Sequence, residues 1–104
     1  MGEHAVVLST ASSAEEAAKI ADALVERRLA ACVNVLPGLR SVYRWKDAVE
    51  RASEWMLVIK TRRERFDDVA AAIRELHSYE VPEVVMLGIE RGDAAYLAWI
   101  DACL

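Results

Sequence analysis

Apolar positions along this chain follow two rhythms, unbroken runs and helical spacing. Glu3 to Leu8 carries the run Ala5-Val6-Val7-Leu8. It is continuous rather than alternating, which predicts a central strand buried on both faces. Ser9 to Ser13 is small and polar and reads as a loop. Ser12-x-x-Glu15 and Ser13-x-x-Glu16 each fit a capping box, so a helix starts there. Ala17, Ile20, Ala21 and Leu24 then recur at i, i+3, i+4, i+7. Arg28 breaks that stripe and predicts the helix end.

Two β-rich runs follow, Cys32 to Trp45 and Val49 to Thr61, facing each other across Lys46-Asp47-Ala48. Pro37-Gly38 interrupts the first. Proline cannot donate to a sheet ladder, so this strand belongs at an edge, with a bulge or bend at the interruption. The second run ends in Trp55-Met56-Leu57-Val58-Ile59, another continuous apolar stretch and so another central strand. Fully extended, each run spans roughly 40 Å, against a radius of gyration of about 13 Å for a compact domain of this length. The hairpin must therefore project, and a two-stranded ribbon is marginal alone in water. Its length predicts self-assembly before it predicts any chemistry.

Thr61-x-x-Glu64 is a third capping box, and Phe66, Val69, Ala70, Ile73 and Leu76 give a second amphipathic helix. His77 to Glu83 reads as a loop, in which Pro82 forces Val81 to be extended and aims Val84 into a strand, Val84 to Ile89. Arg91-Gly92-Asp93 is a turn with Asp93 as N-cap, and Leu97, Ile100 and Leu104 supply one face of a short last helix. The order β-α-β-β-α-β-α makes this an α+β chain whose first six elements form the split βαβ, ferredoxin-like pattern. The usual strand order of that fold, 4-1-3-2, places the two continuously apolar strands in the centre and Pro37 on an edge. Unlike edges meeting between copies make a head-to-tail contact, for which a closed trimer is the small solution.

At 104 residues the chain suits one domain, residues 1–104, with enough core to fold without disulfides or metals. Its hydrophobic fraction of 55% is rich for this size, much of it alanine, and is compatible with a buried subunit interface. The net charge of −4, from 13 basic and 17 acidic residues, argues against nucleic acid as a partner. The densest basic cluster, Arg62-Arg63-Glu64-Arg65, reads as a solvated helix face. Cys32 and Cys103 lack the spacing of a zinc or redox pair and read as small hydrophobes, with Cys103 open to adventitious metal. With no signal peptide and no apolar run long enough to span a bilayer, a reducing cytoplasm and no membrane partner are expected. No phosphate loop, nucleophile elbow or H-E-x-x-H is present, so no enzyme activity and no organic cofactor are expected.

Together, Leu29-Ala30-Ala31-Cys32-Val33-Asn34, Pro37-Gly38, Ser41-Val42-Tyr43-Arg44-Trp45, Ile59-Lys60-Thr61, His77-Ser78-Tyr79-Glu80-Val81-Pro82-Glu83, and Gly92-Asp93 through Tyr96-Leu97-Ala98-Trp99-Ile100 closely resemble the CutA divalent-cation tolerance proteins. The resemblance covers nearly all of the chain. It implies a ferredoxin-like homotrimer similar to the PII signalling proteins, and a role in tolerance of divalent cations, copper first. Three departures from the family stand out. Ser78 stands where the family has proline, which loosens the backbone beside His77. Asp47-Ala48 replace the family's glycine-lysine at the hairpin tip, where aspartate tolerates a left-handed turn. Ser9 and Leu76 stand where some members carry a cysteine and a second histidine; with the position of His77, these are associated with copper binding.

Two constellations follow. As metal ligands, His77, Glu80 and Glu83 would hold Cu(2+) or another divalent cation, the glutamates favouring harder ions. His77 equally reads as a residue that hydrogen-bonds the last carbonyls of its helix. As a ligand cleft, Tyr43, Trp45, Lys60, His77, Tyr79 and Glu83 offer aromatic walls, a cation, a carboxylate and an imidazole between subunits. The same aromatics equally read as packing in a subunit interface. Three functions stay open: divalent-cation binding, a PII-like sensor of a small anionic metabolite, and a structural trimer without ligand.

Overall fold

The computed structural model describes residues 3–104. Its elements are β1 (His4–Ala11), α1 (Ala14–Glu26), β2 (Cys32–Trp45), β3 (Ala48–Arg62), α2 (Phe66–Leu76), β4 (Val85–Gly88) and α3 (Ala94–Cys103), with a single 3-10 turn, Arg63–Arg65, before α2. The strands form one antiparallel sheet in the order β2-β3-β1-β4. This is the expected strand order, with β1 and β3 in the centre and Pro37 on an edge.

α1 begins and ends, and α3 begins, for a local reason. Ser13 caps α1, its Oγ accepting from Glu16 N at 3.0 Å. The Glu16 carboxylate reaches one residue further back than a capping box requires, taking Ser12 N at 2.9 Å. At the far end Leu29 N donates to Leu24 O and Arg28 N to Val25 O, with Arg28 left-handed at φ 58°. That is a Schellman stop, placed at the residue that broke the apolar stripe. Asp93 caps α3, accepting from Tyr96 N at 3.2 Å.

The third capping box does not form. Thr61 is fully buried in β3, where its Oγ1 donates to Leu29 O at 2.6 Å, and Glu64 instead accepts from Arg62 Nε at 2.8 Å. Strand pairing with β1 carries the backbone on to Arg62, so α2 starts only at Phe66. Arg62 also binds Asp101 at 2.6 Å, and His4 meets the same carboxylate oxygen at 2.8 Å, which ties α3 to the end of the sheet. The basic cluster is thus partly a set of ion pairs rather than only a solvated helix face.

Two boundaries differ from the sequence reading. β1 runs on to Ala11, because Ser9, Thr10 and Ala11 pair with Leu57, Met56 and Trp55 of β3. Small polar residues there signalled a loop, but a long partner strand holds them extended. Ser9 Oγ is consequently the buried side-chain polar atom left without a hydrogen bond among the described residues. β4 is shorter than expected, since only Val85–Gly88 continue in strand form, pairing with Leu8–Ala5.

The core lies between the helices and one sheet face: Val7, Leu57 and Ile59 meet Ile20, Leu24, Val69 and Ile73. The other face is not buried as the continuous runs predicted. Val6, Leu8 and Val58 are only half covered, and Val85 and Leu87 of β4 are exposed. Cross-strand pairing puts these five on the same face, so the apolar runs cover a surface that one chain leaves open.

Beyond Trp55, β3 pairs with β2 alone. The ribbon is closed by Lys46 and Asp47, both left-handed at φ 49° and 66°, as a tight two-residue turn matching strand twist requires. Between Leu36 and Leu39 the register shifts, with Pro37-Gly38 opposite Trp55 and Gly38 at φ 81°. This is the expected bulge. The ribbon draws the molecule out to 44 × 25 × 24 Å, with a radius of gyration of 14.1 Å.

Candidate functional site

The extension of β1 and the end of α2 meet at His77. Its side chain is fully buried and both ring nitrogens are in use. Tyr79 N donates to Nδ1 at 3.0 Å, which leaves the proton on Nε2, where it is donated to Thr10 O at 2.6 Å. The imidazole therefore acts as a neutral brace between the loop and β1. As at many helix ends, His77 N also donates to the helix, to Ile73 O at 2.9 Å, but the ring itself reaches the sheet.

Glu16 locks the same loop from the other side. Its Oε2 accepts from Ser78 N at 2.7 Å and lies 3.9 Å from His77 Nδ1; its Oε1 accepts from Ser12 N and Ser12 Oγ. Burial pulls the carboxyl pKa up, but the backbone and side-chain hydrogen bonds from Ser12 and Ser78 outweigh it and lower the pKa from 4.5 to about 2. Ser78 does not leave the loop slack, as its replacement of proline suggested. It supplies the N–H that proline lacks, and Glu16 takes it.

Tyr79 packs on the His77 ring at 4.6 Å between centroids and sends its Oη to Glu54 Oε2 at 2.7 Å. Burial and the Glu54 carboxylate both raise the phenol's pKa, so it keeps its proton and donates. Glu54 is only 6% exposed. Sequence reading passed it over, although the hairpin register reveals it. With a two-residue turn after Trp45, Leu39 must oppose Glu54, which places Glu54 on the ribbon face that carries Tyr43 and Trp45.

That face, the bulge and the 78–83 loop enclose an open groove of about 760 Å³. Tyr43, Trp45, Tyr79 and Glu83 of the expected cleft line it, joined by Glu54 and Glu80. His77 stands behind Tyr79, outside the lining. Lys60 is outside it too. Six residues along β3 from Glu54, it lies roughly 20 Å away, opposite Cys32, and its Nζ binds Asn34 Oδ1. Among the described residues lining the groove there are three glutamates and no lysine, arginine or histidine. Within one chain these residues line a groove that is acidic and aromatic.

The expected metal set is not gathered in one chain. His77 has no free nitrogen, while Glu80 and Glu83 are exposed at the groove. Among the described residues no three His, Cys, Asp or Glu side chains stand together as a metal-holding group. Cys32 and Cys103 are both free and half-buried. No helix among the described residues is long and apolar enough to cross a membrane.

Residues 5–103 match the family model for the CutA1 divalent ion tolerance protein. The chain is 48% identical over 95 residues to the divalent-cation tolerance protein CutA of Thermus thermophilus, covering 91% of this chain and 92% of that one. It superposes on the structure of the periplasmic divalent cation tolerance protein CutA from Archaeoglobus fulgidus with a TM-score of 0.94 at 41% identity, over 96% and 97% of the two chains. It is also 41% identical to the chloroplastic protein CutA of Arabidopsis thaliana over 91% of this chain, which spans 52% of that relative. By sequence over residues 5–103 and by fold, the chain belongs to the CutA1 divalent ion tolerance family.

Proposed function

We propose that this protein serves divalent-cation tolerance as a homotrimer of ferredoxin-like, PII-like subunits, binding the cation through carboxylate oxygens at the groove. The observation that carries this reading is the groove's charge, three glutamates with no basic side chain among the described lining. Glu80 and Glu83 are the exposed donors. Copper or another divalent cation would find oxygen there, and oxygen suits the harder ions. With fewer than three ligands clustered among the described residues of one chain, a full coordination shell draws on water or on a neighbouring copy. The half-covered sheet face and the apolar ribbon support the trimer. Free Cys32 and Cys103 support a reducing, cytoplasmic setting.

The sensor reading loses support on the same grounds. A small anion would meet three carboxylates, and Lys60 is too far along β3 to balance them. We read the protein as a binder rather than an enzyme.

Calorimetric titration with Cu(2+) and with Mn(2+) tests the cation reading. The double variant Glu80→Gln, Glu83→Gln is expected to lose at least about tenfold in affinity, because affinity follows ligand charge. His77→Ala, if folded, is expected to keep it. Unchanged affinity in the double variant contradicts the assignment, and no saturable binding of either metal favours a trimer without ligand.

A further inference from the structure

The groove's walls have chemistry that a metal ion does not use. Tyr43 and Trp45, 42% and 39% exposed, and Tyr79 across from them present aromatic surface to the open groove, with Glu54 buried among them. A metal ion dehydrates reluctantly and takes its ligands from lone pairs. An aromatic face offers none, but its quadrupole attracts a weakly hydrated cation. The Trp45 ring already carries one ammonium, Lys46 Nζ, 5.6 Å from its centre. Glu54 contributes the matching charge, its Oε2 held by Tyr79, and Glu80 and Glu83 add charge at the groove. The volume, about 760 Å³, is that of a small-molecule site.

We propose that this groove binds a small organic cation of the alkylammonium or guanidinium class, with Tyr43, Trp45 and Tyr79 as aromatic walls and Glu54, Glu80 and Glu83 as counter-charge. The groove pairs acidic charge with aromatic walls whether or not the rim glutamates also take a metal.

Choline and ethylguanidinium are titrated against the full chain by calorimetry and tryptophan fluorescence, in buffer containing a chelator. The uncharged isostere of choline, 3,3-dimethylbutan-1-ol, is run beside them. Saturable binding of the cations is expected, with the isostere at least about tenfold weaker. Trp45→Leu is expected to weaken choline about tenfold, and Tyr43→Leu provides a second, independent wall variant. Both positions are exposed, so circular dichroism should be unchanged. Equal binding of the isostere overturns the proposal, as does unaltered affinity in both wall variants. Absence of saturable binding overturns it too, and shielding of Trp45 from acrylamide would then assign the groove to a neighbouring copy's side chain. The chelator and the aromatic variants separate this outcome from failure of the metal reading, which depends on Glu80 and Glu83 alone.

Discussion

The two halves of β3 share one strand and live in different surroundings. From Leu57 to Lys60 the strand is flanked by β2 and β1 and roofed by α1 and α2, and β1 alone accompanies it on to Arg62; Leu57, Ile59 and Thr61 are buried. From Ala48 to Glu54 it has β2 alone for company, and of these residues only Glu54 is buried. Val42, opposite it, and Val49, within it, are 65% and 49% exposed. Stability is therefore concentrated in the inner half, while the outer half and the β2 segment paired with it hold apolar and aromatic surface exposed. Glu54 marks the border. It is a carboxylate buried where the ribbon leaves the sheet, and it stays there because Tyr79 donates to it.

Inner-half substitutions should be costly. Ile59→Ala removes a fully buried side chain from the helix–sheet core and is expected to destabilise by about 3 kcal/mol in denaturant unfolding. A loss below about 1 kcal/mol would mean that the inner half is not where the fold is held.

At the border the effect is intermediate. Tyr79→Phe leaves Glu54 buried without its donor, at a cost of about 1–3 kcal/mol. The groove should lose its definition before the core melts, detectable as a change in Trp emission that precedes loss of helical circular dichroism.

The loop latch has a pH signature. The Glu16 pKa is depressed from 4.5 to about 2, so its contribution is full above pH 4.5 and fades as pH falls towards 2. Glu16→Gln is expected to lower stability at pH 7 by about 1–2 kcal/mol and to flatten the acid limb of the stability profile. Ser78→Pro removes the N–H donated to Glu16 and should flatten the same limb to a lesser degree. An unchanged acid limb in both variants would show that Glu16 does not hold the loop.

The smallest expected effect on folding is on β2 opposite the outer half. Val42→Asp should leave unfolding within about 0.5 kcal/mol when measured on the dissociated chain. Its consequence belongs to assembly.

The sequence made the inner architecture readable because periodicity reports burial directly. Ile20, Leu24, Val69 and Ile73 fell on their expected faces, and Pro37 gave away the edge strand. Burial against a second copy and burial against the chain's own helices produce the same apolar run, so Ala5 to Leu8 suggested two covered faces where one chain provides one. Local polarity misled at Ser9 to Ala11 and at Thr61, because long-range pairing with β3 and with Leu29 overrode it. The site was legible in its aromatics, which sit in the hairpin and loop. Glu54 needed the hairpin register to be counted from the turn. Lys60 and His77 left the cleft for reasons no motif carries: distance along a strand, and a ring whose two nitrogens were already taken.

In the homotrimer proposed above, other copies of the chain complete the outer ribbon and the open sheet face. Sedimentation equilibrium at micromolar concentration tests it most directly. The account predicts a mass of three chains for the parent protein and a smaller particle, with intact secondary structure, for Val42→Asp. A stably folded parent sedimenting at the mass of a single chain would contradict it.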